Sequence, residues 1–174
     1  MNKQVIILNA KATAGKDTFI KKLNEYIPAI HYSYVEFTHE MFRNMGITVD
    51  EKTEKMRKLL CDVNNSLEEY NDIPFADCLE IYMDFMNGMF DECDILVIDC
   101  REPEKIDRLK NAINGALTVF IDNINVPLIT SNSADAKVMD YIYDYVVNNN
   151  GGLNNLDREV EKFVEYITRR AADI

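Results

Sequence analysis

The sequence predicts an α/β fold: a three-layer sandwich in which a parallel sheet lies between two helical layers. Three observations predict it. Residues 4–9 and 94–99 form short, β-branched, nearly all-apolar runs with no polar alternation, the pattern of strands covered on both faces. Between such runs stand segments with apolar residues at helical spacing, and strands that alternate with helices pair in parallel. The chain has 174 residues, 47% hydrophobic and 28% charged, with six glycines and four prolines. That fits a single domain with its own core spanning 1–174, whereas two full domains would be cramped, and it excludes collagen-like, low-complexity or largely disordered chains.

The elements follow in order. Gln4-Val5-Ile6-Ile7-Leu8-Asn9 is the first strand, and residues 10–18 follow it without a break. Phe19, Ile20, Leu23 and Ile27 then mark one side of a helix that Pro28 stops. A second strand is expected over 30–37, and from 38 to about 87 the chain reads as helices inserted within the domain. Thr48-x-x-Glu51 has the form of a capping box. Met56, Leu59, Leu60, Val63, Leu67 and Tyr70 recur at spacings of three and four as one apolar stripe. Pro74 opens a further helix with Leu79, Tyr82, Met83 and Met86 on its core face, ending near Gly88. Met41, Met45 and Met89 are expected to fill the core as well. The strand at 94–99 ends in a carboxylate, Asp99, and a helix opened by Pro103 follows. Strands at 116–121 and 143–147 precede a closing amphipathic helix lined by Leu153, Leu156, Val160, Phe163, Val164 and Ile167.

Charge narrows the function classes. Nineteen Lys and Arg against thirty Asp and Glu leave a net −11, a surface that repels nucleic-acid polymers and anionic lipid. No apolar run approaches the roughly 20 residues that span a bilayer, and Val5 to Leu8 is too short for a signal-peptide core. Four cysteines with no Cys-x-x-Cys pair, and only two histidines, read as free thiols in a reducing compartment, so a cytoplasmic location is expected. His31 and His39 have no partner at ligand or triad spacing, and Ser131 and Ser133 lack a nucleophile elbow. The charge is also uneven. Residues 1–30 carry five basic and two acidic groups, a local excess of +3 that suits collection of an anion.

The junction after the first strand carries the chemistry. A phosphate-wrapping P-loop needs a strand, a tight loop and a helix whose N-terminus faces the phosphates. Its lysine reaches the β/γ oxygens and a hydroxyl binds Mg²⁺. In Ala10-Lys11-Ala12-Thr13-Ala14-Gly15-Lys16-Asp17-Thr18, Gly15 and Lys16 stand where the motif's second glycine and lysine belong. Ala10 replaces the first glycine, where alanine is disfavoured if φ is positive, and Asp17 stands where Ser or Thr is usual. The loop backbone from Ala12 to Thr18 would hold the phosphates.

Residues 9–18 resemble the start of phage and bacterial deoxynucleoside monophosphate kinase-like P-loop proteins. So do Asp99-Cys100-Arg101-Glu102-Pro103, the helix around 55–72, and residues 143–149. The resemblance implies a P-loop kinase fold with a helical substrate-binding insertion and a short lid. It implies ATP with Mg²⁺ as cofactors, a small nucleotide as substrate, and Thr18 as the hydroxyl near the metal. It implies an arginine after the third strand, here Arg101, on the acceptor's phosphate, and a loop at 148–152, with Asn149, bordering the adenine. Transfer of the γ-phosphoryl group of ATP to a (deoxy)nucleoside monophosphate is the activity expected from it. A kinase of the same fold for a non-nucleotide phosphate such as phosphomevalonate is one alternative, and a nucleotide-binding regulator with a degenerate site is another.

Several residues carry two readings at this point. Asp99 suits either a water on the metal or a cap before the Pro103 helix. Arg57 suits either a clamp on the acceptor's phosphate or an i,i+4 partner for nearby acids. Asp62, Asn71 and Asp72 suit a base or sugar, or a helix junction, and Tyr34 and Phe37 a base or the core. The lid segment, 123–137, departs from the resembling kinases: from Asn111 to Asp157 there is no arginine and one lysine, Lys137. Either Arg101 and Arg57 suffice, or a partner subunit in a homodimer supplies the charge, or nucleotide binds without fast turnover.

Overall fold

A computed structural model describes residues 3–49, 53–128 and 137–172. Its centre is a five-stranded, all-parallel sheet in the order β2-β3-β1-β4-β5. The strands are β1 (Gln4–Ala10), β2 (Ala29–Ser33), β3 (Ile95–Asp99), β4 (Leu117–Asp122) and β5 (Tyr145–Asn148). The helices are α1 (Lys16–Tyr26), α2 (Glu36–Asn44), α3 (Glu54–Asn71), α4 (Ile73–Met86), α5 (Pro103–Ala112) and α6 (Leu153–Ala172).

Alternation along the strands builds the two faces. Ile6 and Leu8 of β1 turn to one side, where Phe19 and Leu23 of α1 and Val160 and Phe163 of α6 cover them. Val5 and Ile7 turn to the other, against Cys78 and Phe85 of α4 and Ile106 and Leu109 of α5. Burial on both faces is why these strands are continuously apolar rather than alternating. Parallel pairing aligns the carboxyl ends: Leu8 lies opposite Asp99, and Asp99 opposite Ser33. The chain leaves β1 toward β2 on one side and crosses from β3 to β4 on the other, and such a reversal opens a crevice at the carboxyl edge of the sheet.

The insertion departs from the sequence expectation in informative ways. The strand expected to reach residue 37 stops at Ser33, because α2 already starts at Glu36. The α3 cap is Thr53, whose Oγ1 accepts from the Met56 N–H at 3.2 Å; Glu51 of the expected capping box lies outside the described residues. Within the expected stripe, Leu59 is 42% and Tyr70 82% exposed, and the buried residue of α3 is a polar one, Asn64. Of the stripe, Met56 and Leu60 do face inward, and what they border is a cavity rather than a core. In α4, Cys78 and Phe85 pack on the sheet, whereas Met83 and Met86, expected inside, are exposed, as are Met45 and Met89. Asp72 joins α3 to α4 in the left-handed region (φ 53) and binds Arg108 at 2.8 Å, so it serves as a junction. The cysteines are free thiols, and burial pushes those of Cys78 and Cys100 up.

Asp144 anchors the start of β5. Its Oδ2 accepts from the N–H of Thr118 at 2.9 Å and from its Oγ1 at 2.8 Å, and Lys110 binds both oxygens at 2.8 Å. Burial alone would raise this carboxyl, but Lys110 and Thr118 outweigh it and hold it below the usual carboxylate range. A depressed carboxyl contributes stability above its unfolded value, and that contribution is lost as pH falls through its folded value, below about pH 4. Asp144→Asn is therefore expected to lower the urea midpoint at pH 7, with the gap to wild type narrowing below about pH 4. A gap of the same size at both pH values would contradict this assignment.

Candidate functional site

The loop after β1 is shaped by its backbone. Ala10 is the last strand residue, paired opposite Ile121, so the alanine in place of the first glycine meets no positive-φ requirement. The left-handed positions are Thr13 (φ 67) and Gly15 (φ 100), with the turn closed by the Ala14 N–H donating to Lys11 O at 3.0 Å. Alternating left- and right-handed residues turn successive N–H groups toward one side, which makes a concavity for anions. Helix α1 begins at Lys16, its first turn bonded from the Phe19 N–H to Gly15 O at 2.9 Å, and no side chain caps it. The amides of its first turn thus keep the donors and the positive end of the helix dipole that bind phosphate.

Lys16 and Asp99 meet at the mouth of this loop. The Lys16 ammonium bonds Asp99 Oδ2 and lies 3.5 Å from Asp17 Oδ1, while Asp99 Oδ1 is buried with no hydrogen-bond partner. A buried carboxylate oxygen left open beside an ammonium suits a hydrated divalent cation, directly or through its water. Among the described residues no three His, Cys, Asp or Glu side chains cluster as a metal cage. Mg²⁺ needs no such cage, because it is held by one or two protein oxygens together with substrate phosphates. Asp99 and the neighbouring Thr18 hydroxyl fit that donor set.

Beyond the loop opens a cavity of about 550 Å³. Its walls bring together most of the residues singled out by sequence: Ala10 to Thr13 and Gly15 to Thr18 from the loop, Asp99 and Arg101 from the end of β3, and Arg57 from α3. The Arg101 carbonyl is fixed by Asn9 Nδ2 at 3.0 Å, and Asn9 is fully buried. Asn149 lies elsewhere: its Nδ2 donates to Ala14 O at 2.8 Å and its N–H to Asp122 O at 2.7 Å. Asp62, offered for a base or sugar, pairs with Lys58 at 2.6 Å on the outer surface of α3. Tyr34 is 2% exposed, with its hydroxyl donating to Glu68 at 2.8 Å. Of the lid segment 123–137, residues 129–136 lie outside the described residues, and Lys137 pairs with Glu104 at 2.7 Å.

The cavity also contains residues that the sequence reading passed over. Asn64 lines it at 1% exposure, its Oδ1 accepting from the hydroxyl of buried Thr38 at 3.0 Å. A polar residue between Leu60 and Leu67 in an apolar stripe was the available signal. His31, Glu36 and His39 line it too, with Glu36 2.7 Å from Arg43. Desolvation, then the Lys16 ammonium, lowers the His31 imidazole from its ordinary value.

A parallel sheet with a tight strand–loop–helix turn after its first strand, and a helical insertion after its second, is the P-loop kinase-like fold, and this chain has that fold. Solved structures agree. Shikimate kinase from Aquifex aeolicus matches at a TM-score of 0.50 and 17% identity, over 97% of this chain and 99% of that one. Dephospho-CoA kinase from Campylobacter jejuni matches at 0.54 and 12%, over 97% and 99%. A sugar kinase from Janibacter matches at 0.51 and 11%, over 95% of each chain. At these identities the likeness is one of fold. No family model and no curated protein matches the sequence.

Proposed function

We propose that the protein is an ATP-dependent kinase that phosphorylates a small acceptor already bearing a phosphate, with a (deoxy)nucleoside monophosphate as the acceptor class. One observation carries this reading: the phosphate loop, Asp99, and the arginines Arg57 and Arg101 from two further elements all line one cavity roofed by α2 and α3. The loop amides and Lys16 hold the β- and γ-phosphates of ATP. Thr18 and Asp99 are the groups for Mg²⁺, which when bound adds charge neutralisation at the β/γ oxygens. Arg57 and Arg101 seat the acceptor's phosphate, for which a bidentate guanidinium is well matched. An oxygen of that phosphate attacks the γ-phosphorus, the bond to the β–γ bridging oxygen breaks, and ADP leaves. No general base is required, since the acceptor phosphate is ionised at pH 7. Positioning and electrostatics supply the catalysis.

A second reading, a nucleotide-binding regulator, is favoured by the absence of arginine from 123–137. No helix among the described residues is long and apolar enough to cross a membrane, and free cysteines accord with a cytoplasmic setting. A panel of acceptors in an ADP-release assay, run alongside thermal shifts with Mg-ATP, tests the kinase reading. The expected result is turnover on one monophosphate base far above the others. Stabilisation by Mg-ATP with no turnover on any acceptor would establish the regulator, and no shift at saturation would remove the nucleotide site altogether.

A further inference from the structure

We propose that Asn149 is a positioning residue for the phosphate loop, holding the Ala14–Gly15 peptide so that the Gly15 N–H faces the phosphates. This rests on reading the loop as a triphosphate site. The Asn149 side chain crosses 135 positions of sequence to donate from Nδ2 to Ala14 O at 2.8 Å. No peptide bond among the described residues is cis, and in a trans peptide the carbonyl and the N–H point in opposite directions. Fixing the Ala14 carbonyl on Asn149 therefore turns the Gly15 N–H away from Asn149. Gly15 and Lys16 line the cavity, whereas Asn149 does not.

Glycine makes this brace necessary. With no Cβ, Gly15 at φ 100 can change backbone conformation at little cost, so its peptide keeps one orientation only if something outside the loop fixes it. Asn149 is itself well anchored, its N–H bonded to Asp122 O at 2.7 Å. Asp122 lies 3.5 Å from the Lys11 ammonium, at the other shoulder of the loop. The loop after β5 thus braces the loop after β1 from behind, and the end of β4 links the two. A side chain used this way acts on the phosphates through the backbone, whether or not a base is present.

That distinction sets the test. Calorimetric titration of Mg-ATP and of inorganic tripolyphosphate, which has the phosphates and no base, compares wild type with Asn149→Ala. Asn149→Ser, polar but too short to reach Ala14 O, serves if the alanine variant does not fold, and a thermal unfolding midpoint for each variant is read first. Loss of one hydrogen bond is expected to weaken both ligands by the same factor, about five- to tenfold. Weakening of ATP alone, with tripolyphosphate unchanged, would identify a base contact and overturn the proposal, as would unchanged affinity for both. A wild type that binds neither ligand overturns the triphosphate reading itself, and the proposal with it.

Discussion

Lys16→Ala is expected to abolish phosphoryl transfer, by at least about 10²–10³-fold, the cost of removing one preorganised charge from a transferring group. Mg-ATP should also no longer raise the unfolding temperature of the variant. In the structure this ammonium sits between Asp99 and Asp17 at the start of α1, where the phosphates of a bound triphosphate would draw it from carboxylate to γ-oxygen. Its loss has a second consequence. Asp99 is about 10% exposed at its side chain, and with Lys16 gone it is a largely buried carboxylate without its ion partner. Removing one member of a buried pair is destabilising, so the unliganded variant should unfold at a lower temperature than wild type. Adding Asp99→Asn should restore much of that stability without restoring turnover. Phosphoryl transfer at the wild-type rate in Lys16→Ala would discard the site assignment.

Gly15→Ala should be the most damaging small substitution in the loop. At φ 100 an alanine is strained by roughly 1–2 kcal/mol, and its Cβ would overlap Asn149 Nδ2, which is held on Ala14 O. Relief requires Asn149 to release the loop. The expected outcome is a fall in urea midpoint together with a loss of ATP affinity. Gly46→Ala provides the comparison: φ is +74 there and nothing lies within 4 Å of an added Cβ, so it reports backbone strain alone. A Gly15→Ala protein no less stable than Gly46→Ala, and with wild-type affinity for ATP, would show that the close approach has no energetic weight.

How much of this was legible in the sequence depends on how far apart the interacting residues lie. The central strands were readable because burial on both faces writes itself into consecutive residues: the apolar runs at 5–8 and 95–98 fall inside β1 and β3. The strand–loop–helix junction was readable because its parts are contiguous, from β1 to Gly15-Lys16 to α1. The brace from Asn149 was not, since a turn-forming asparagine after a strand looks the same whether it faces a base, solvent or a backbone carbonyl across the molecule. The α3 stripe shows a different limit. Helical period placed Met56 and Leu60 inward but also Leu59 and Tyr70, which are exposed, and it could not tell core from cavity, which the placement of α2 beside α3 decides. The end of β2 was missed because Tyr34, Val35 and Phe37 suit a strand on propensity, while the backbone turns at Ser33 to begin α2.

The sparse apolar burial of α3 bears on what joins this helix to the rest of the domain. This helix and its C-cap meet α5 through polar side chains: Glu68 to Lys105 at 2.9 Å, Asn65 to Lys105 at 2.8 Å, and Asp72 to Arg108 at 2.8 Å. Separating such groups exchanges one set of polar partners for another, whereas peeling α4 from the sheet would expose Phe85 and Cys78. Helix α3 is accordingly joined to α5 by polar contacts, while the two hydrophobic layers fasten α1, α4, α5 and α6 to the sheet.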